Sequence, residues 1–187
     1  MPKRPHRPPS LSVRVVNVVA STRLSRPVRL EQVSVAIPEL SYEPERFPGI
    51  IYRRTEPKAT IILFANGKFV STGTTSEEMA KEALRVTLRE VIRAEGQSAT
   101  MRPIETVNLV VVADLGRELD LARVLPGFPD ATYEPEAFPG LVVWNEDHSV
   151  VLLFGSGKLV CSGSRSERIA RTHVREIQRR LVAGGYL

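Results

Sequence analysis

Glu43 and Glu45, and again Glu134 and Glu136, are the carboxylates of this sequence most easily taken for a general acid and base. Acid–base work needs one carboxyl kept protonated by its surroundings beside another kept ionised. Both pairs instead flank a proline, in Glu43-Pro44-Glu45 and Glu134-Pro135-Glu136, and so lie in loops. The three histidines, His6, His148 and His173, fall in a basic tail, a turn and a helix, with no repeated acid or cysteine beside them. Cys161 stands alone in a strand-like run, which reads as an inert buried thiol and excludes an intramolecular disulfide framework. No metal-ligand spacing, phosphate loop or nucleophile elbow occurs. The residues therefore argue against an enzyme, and no metal or cofactor is expected.

The paired glutamates belong to something larger. Tyr42-Glu43-Pro44-Glu45-Arg46-Phe47-Pro48-Gly49 returns as Tyr133-Glu134-Pro135-Glu136-Ala137-Phe138-Pro139-Gly140, and Arg46 against Ala137 is the single mismatch. Two copies of a stretch so rich in proline and glycine imply one supersecondary unit built twice. Each copy leads into an apolar run ending Leu-Phe-x-x-Gly-Lys, at Leu63–Lys68 and Leu153–Lys158. The chain thus divides into a basic, proline-rich tail (1–10), a first repeat (11–100) and a second (101–187). The tail has nothing to bury and is expected to be disordered.

The elements that position these residues follow the same duplication. Val13–Val19 and Thr106–Val112 are β-branched and read as strands, each with an asparagine inside it, Asn17 and Asn108. Leu30–Val35 and Leu119–Val124 read as short helices. Strands are expected at Ile50–Arg54, Thr60–Phe64 and Lys68–Thr72, and at Leu141–Trp144, Val150–Phe154 and Lys158–Ser162. Asn66-Gly67 and Ser156-Gly157 supply hairpin turns. A long amphipathic helix closes each half, with Thr74-x-x-Glu77 and Ser164-x-x-Glu167 as candidate capping boxes. Its apolar stripe draws on Met79, Ala83, Leu84, Val86, Leu88, Val91 and Ile92 in one copy and on Ile169, Ala170, Val174, Ile177 and Leu181 in the other. The offset between copies drops from ninety-one to ninety, a one-residue deletion in the turn near Pro57. Such a pattern predicts an α+β fold with one antiparallel sheet and helices on a single face.

Composition agrees with a globular chain: 187 residues, 42% hydrophobic and 25% charged. No run reaches the ~20 apolar residues of a membrane span. The net charge of +5 invites a polyanion, but it is unevenly spread. The first repeat carries 13 basic against 10 acidic residues, the second 10 against 11.

With helices on one face, the opposite face of an antiparallel sheet is expected to be polar. These strands do not alternate. Strict alternation puts Val13, Val15 and Val19 on one side with Asn17, and Val16 and Val18 on the other. Ile61 and Leu63 likewise oppose Ile62 and Phe64. An apolar open face is an interaction surface. Its occupant is a nucleic acid or, alternatively, a second copy of the chain. Duplicated asparagines among aliphatics, and two matched pairs, Phe47 with Phe64 and Phe138 with Phe154, favour nucleic acid.

On these motifs, over about residues 11–183, the chain resembles the TATA-box-binding proteins, of the archaeal kind without a long amino-terminal domain. The resemblance implies a saddle: two pseudo-symmetric repeats forming one curved antiparallel sheet, helices on the convex face, and the concave face on the minor groove of promoter DNA. That family is itself the standard instance of minor-groove kinking, so the mechanism comes with the resemblance. It implies that Phe47, Phe64, Phe138 and Phe154 are wedges between base steps. Asn17, Val19, Val70, Thr72, Asn108, Val110, Val160 and Ser162 would form the floor against the groove, and Arg46, Arg53, Lys58, Lys68 and Lys158 would meet phosphates. Glu134 and Glu136 would meet transcription factor B, with RNA polymerase assembling afterwards. It further implies an archaeal cytoplasm, at the nucleoid, and a monomer on DNA, with dimerisation through the concave face as the alternative for the free chain.

The departures gather in the second repeat. Trp144 stands where the family commonly has arginine, Ser149 where it has a basic residue after the turn, and Ala137 where the first copy has Arg46. Asn145-Glu146-Asp147-His148 is acidic. Two functions remain open on this sequence: a promoter-recognition factor that bends DNA, held harder by its first half, or a divergent relative that serves mainly as a protein-docking scaffold.

Overall fold

The computed structural model describes residues 11–187, so the basic tail lies outside the described residues. The chain forms two compact units. One is Val16–Asn108; the other joins Leu109–Leu187 to the described residues before Val16. We call them the first and second units. Relative to the sequence repeats they exchange strand ends, since the start of the first strand belongs with the second unit.

In the first unit, β1 (Ser12–Arg23), β2 (Gly49–Thr55), β3 (Lys58–Phe64) and β4 (Lys68–Thr74) pair antiparallel in the order β2-β3-β4-β1. Helix α1 (Leu30–Ala36) follows β1, and α2 (Glu77–Glu95) packs on β3 and β4. In the second unit, β5 (Glu105–Asp114), β6 (Ala131–Thr132), β7 (Gly140–Trp144), β8 (Val150–Phe154) and β9 (Lys158–Ser164) take the order β5-β9-β8-β7-β6. A single turn, α3 (Leu121–Val124), and α4 (Glu167–Ala183) complete it, α4 lying on β9. Each unit is therefore an antiparallel sheet backed by a long helix on one face. The α+β expectation holds.

Both β3–β4 and β8–β9 hairpins turn on a glycine of positive φ, 78° at Gly67 and 80° at Gly157. A side chain at Gly67 would also run into the Arg26 carbonyl at 2.5 Å, so conformation and space both demand glycine there.

The long helices start two residues later than the capping boxes predict. Ser76 and Ser166 are the N-caps, and the Ser76 hydroxyl accepts the Met79 N–H at 3.2 Å. Thr74 and Ser164 are still in β4 and β9, buried, and donate to the Ser76 and Ser166 carbonyls. The α2 stripe is Ala80, Ala83, Leu84, Thr87, Leu88 and Val91, with Met79 exposed instead. In α4 the buried set is Ala170, Val174, Ile177 and Leu181. On α4, Arg171 is committed to other parts of the second unit. Its Nε donates to Glu167 at 2.6 Å and its Nη1 to the Val13 carbonyl at 2.8 Å, fastening the start of β1 to α4.

Strict alternation in β1 also fails. Val13 and Val15 are buried, and so are Val18, Ala20 and Thr22, so burial changes phase across the half-buried Val16 and Asn17. Val13 and Val15 thus do not share the environment of Asn17 and Val19. Near this point the β1–β4 register slips between Val18 and Ala20, where Gly73 takes a φ of 79° in β4. The extra residue is a β-bulge, and β5–β9 repeats it at Gly163.

Candidate nucleic-acid interface

The repeated stretch folds the same way twice. The Glu43 carbonyl accepts from the N–H groups of Arg46 and Phe47 at 3.0 and 3.1 Å, and the Glu134 carbonyl from Ala137 and Phe138 at 2.9 and 2.8 Å. Pro44 and Pro135 sit just after the accepting residue, where their fixed φ favours the turn. Each turn delivers a phenylalanine to the end of a strand. Phe47 meets Phe64 with ring centroids 5.9 Å apart at 53°, and Phe138 meets Phe154 at 5.8 Å and 63°. None of the four is buried, whereas Phe69 and Phe128, 0% and 1% exposed, form the aromatic core.

A glycine lies under each pair, since Gly49 pairs with Phe64 and Gly140 with Phe154 across the ladder. An added Cβ on Gly140 would stand 2.7 Å from Phe138 Cε1 and 3.2 Å from Phe154 Cε1. On Gly49 it would also strike the Leu63 carbonyl at 2.7 Å, which is backbone and cannot swing aside. Gly49→Ala is therefore expected to destabilise the fold by about 1–3 kcal/mol through overpacking, and Gly140→Ala by less, because only the exposed Phe138 and half-buried Phe154 rings must move. Equal losses in chemical denaturation would overturn this account of the two glycines.

The strand residues expected on the floor occupy one environment. Asn17, Val19, Val70, Thr72, Asn108, Val110, Val160 and Ser162 are all half-buried, while their strand neighbours on the helix side, such as Val18, Ser71, Leu109 and Cys161, are buried. Cross-strand register carries the apolar surface further. Ile51, Ile62, Val70 and Ser21 stand in one row, and Val142, Leu152, Val160 and Val112 in its counterpart. The floor that the resemblance implies leaves out Ile51, Ile62, Val142 and Leu152, although alternation sets Ile62 beside Phe64 and Leu152 beside Phe154.

Asn17 has a structural duty as well. The bulge removes the Gly73 N–H from the ladder, and Asn17 Oδ1 accepts it at 2.8 Å, along with the Thr72 hydroxyl at 3.2 Å. An N–H demands an acceptor, which fixes the amide's orientation and leaves the amino group of Asn17 as the donor end. Asn108 occupies the matching place in β5 and is itself engaged.

The candidate phosphate contacts are all exposed. By alternation Arg53, Lys58, Lys68 and Lys158 share the open face with Ile51, Phe64, Val70 and Val160. Arg54 points the other way, to Glu90 of α2 at 2.6 Å. Arg46 lies in the first turn, 2.9 Å from Glu43, and its hydrogen bond holds that carboxyl below the usual range. Register adds a contrast absent from the sequence reading. Lys68 pairs across the strands with Arg23, a further cation, but Lys158 pairs with Asp114. Like charges concentrate potential on the first unit's rim, and opposite charges cancel it on the second.

The second unit's turn differs from the sequence expectation in one respect. Ser149 does not take the place of Lys58. Trp144 pairs with Val150 as Arg53 pairs with Thr60, so the missing residue is already lost within the turn and Ser149 aligns with Ala59. Both are buried, Ser149 at 0% and Ala59 at 5%. His148, exposed and with a φ of 63°, stands where Lys58 does. Asp147 closes the turn. Its Oδ1 accepts the Ser149 hydroxyl at 2.6 Å and N–H at 3.1 Å, and Oδ2 lies 3.2 Å from His173 Nε2. Partial burial works against ionisation of Asp147, but these Ser149 and His173 contacts hold its carboxyl below the ordinary value.

Glu134 and Glu136 are exposed in the second turn, as are Glu43 and Glu45 in the first. The Cys161 thiol is buried, and burial, with the charge of Asp147 added, pushes it up to about 12 despite the Ser149 hydroxyl, so it stays protonated. Among the described residues, no three His, Cys, Asp or Glu side chains are grouped to hold a metal ion, and no helix is long and apolar enough to cross a membrane.

The family model described as transcription factor TFIID, or TATA-binding protein, matches residues 12–94 and again 103–183. The chain is 37% identical over 172 residues to the TATA-box-binding protein of Methanothermobacter thermautotrophicus, covering 91% of this chain and 95% of that one. It is 40% identical over 182 residues to the TATA-box-binding protein of Natronomonas pharaonis, covering 96% and 97%. In structure it is similar to the Methanococcus jannaschii TBP, with a TM-score of 0.77 and 36% identity over 92% of this chain and 99% of that one.

Proposed function

The chain belongs to the TATA-binding protein family, and from that premise we propose that it is a general transcription initiation factor that binds TATA-like promoter DNA in the minor groove. The observation that carries this reading is the pair of phenylalanine couples, each over a glycine, at the end of a half-buried apolar strand face. The rings enter base steps at either end of the site, and the duplex kinks. Unstacking costs a few kcal/mol per step, offset by the apolar fit of Val19, Val70, Val110 and Val160 to the widened groove and by the cations at the rim. A·T pairs offer only acceptors there, whereas G·C adds an amino group. The donor end of Asn17 suits the former, and Asn108 takes the same part. Glu134 and Glu136 present acid to transcription factor B, after which RNA polymerase assembles.

A second reading has its own observation. Ala137, Trp144 and the Asp114–Lys158 pairing leave the second unit with little positive charge for phosphate. On that reading the chain is mainly a docking scaffold whose DNA binding is weak or depends on its partner.

A gel-shift titration with TATA and scrambled duplexes, with and without transcription factor B, separates the two. Selective binding to the TATA duplex is expected, with a slope of log K on log salt of about −4 to −5 if Arg46, Arg53, Lys58, Lys68 and Lys158 each displace a counterion. No binding to either duplex, in any combination, would leave the scaffold reading standing.

A further inference from the structure

Trp144 is 61% exposed at the last position of β7, whereas large aromatics of this kind ordinarily bury most of their surface. It is not stranded there by a loose loop. Gly140, Val142 and Trp144 alternate onto the open face, while Leu141 and Val143 are buried toward the helix side. Trp144 therefore continues the row that begins under the Phe138–Phe154 pair, roughly 13 Å along the strand from Gly140. Behind it, Asn145–Ser149 is braced. The Asn145 N–H donates to the Ser149 carbonyl at 2.9 Å and its amide nitrogen to the Ser149 hydroxyl at 3.0 Å. The charge of Asp147 is turned toward Ser149 and His173. At the matching rim the first unit presents Arg53 and Lys58.

Resting on the DNA-binding reading, we propose that Trp144 is a DNA contact of the second unit: its indole face packs on a deoxyribose of the duplex backbone and its Nε1–H donates to a phosphate oxygen. The contact replaces a cation with apolar area and one neutral donor. No counterion is released by it, so it holds the duplex without adding to the salt dependence. The binding of the second unit is thereby less sensitive to ionic strength than that of the first.

The chain has one tryptophan, so its intrinsic emission reports this position alone. The full chain is titrated with a TATA-like duplex at several salt concentrations, with a gel shift in parallel. Emission is expected to change with the same midpoint as the gel shift. Trp144→Ala is expected to weaken binding by about tenfold, the scale of one buried aromatic contact, with an unchanged salt slope. Trp144→Arg should restore affinity at low salt and steepen the slope by about one. Circular dichroism checks that both variants are folded. A gel shift with unmoved emission, together with wild-type affinity of Trp144→Ala, would overturn the proposal. So would emission that moves on adding transcription factor B in the absence of any duplex. A gel shift that detects no duplex binding, with or without that factor, would instead bring down the DNA-binding reading and this contact with it.

Discussion

A chain carrying Phe138→Ala together with Phe154→Ala is expected to bind a TATA duplex without kinking one end of the site. The two rings support each other, and an edge-to-face aromatic pair is worth about 0.5–1.5 kcal/mol beyond its buried area. Removing one leaves the other without its brace, so the pair is the unit to delete. Neither ring is buried, hence the core formed by Leu141, Leu153 and Leu159 stays filled and the melting temperature should fall by only a few °C. With no ring to fill the opened step, the apolar fit and the rim cations no longer outweigh the few kcal/mol that unstacking costs, and that end of the duplex is expected to stay stacked. Dyes on the two duplex ends report the bend by energy transfer. Roughly half the wild-type change is expected from the double variant, since the proposed wedge of Phe47 and Phe64 is left in place at the other end. Undiminished transfer would remove the wedge role from this pair.

Glu95→Ala is expected to cost the fold about 3 kcal/mol, at the lower end of what breaking a buried ion pair costs. The Glu95 side chain is fully buried at the end of α2, where its Oε2 lies 2.7 Å from Arg26 Nη1 and its Oε1 accepts the Arg29 N–H at 2.9 Å. Removing it leaves Arg26, itself only 21% exposed, without its anion and strands the Arg29 N–H before α1. Arg26 keeps a partial path to water and the Gln97 carbonyl at 2.9 Å, which moderates the loss. For a chain of this size the change lowers the melting temperature by about 6–12 °C. Glu95→Gln retains an acceptor for Arg29 and should lose less than half as much. A loss below about 1 kcal/mol for the alanine variant would mean that the carboxylate is hydrated and the pair contributes little.

Much of this was legible because the chain states its elements twice. Strands and hairpins follow from β-branched runs and from Asn66-Gly67 and Ser156-Gly157, whereas the candidate floor residues came with the resemblance, and alternation, which survives from β2 to β4 and from β7 to β9, agrees with those in β4 and β9. What escaped was set by single residues of slippage. The bulge at Gly73 carries β4 on to Thr74, so the helix cap falls at Ser76. The phase change at Val16 and Asn17 has no signature in a stretch whose apolar residues are all valine. The residue missing from the second turn shifts Ser149 into a buried place that a count of ninety-one assigns to a lysine. Arg23 carries no mark of duplication, because the matching position in the second repeat is Asp114. The roles of the site residues, as distinct from their positions, came from resemblance, since half-burial on an open sheet face is the same whatever covers it.

The bond from Arg171 to the Val13 carbonyl spans 158 residues of chain. During synthesis the beginning of β1 is among the first described residues to emerge, and the helix that holds it is nearly the last. Until α4 exists, Ser12–Val15 has a strand's sequence without its anchor, an apolar edge open to the wrong neighbours. A contact this distant also forms late in refolding, because the long loop must close before it gains anything. The first repeat can reach most of its structure while the second is still being made, but its leading strand is completed only when the final helix arrives.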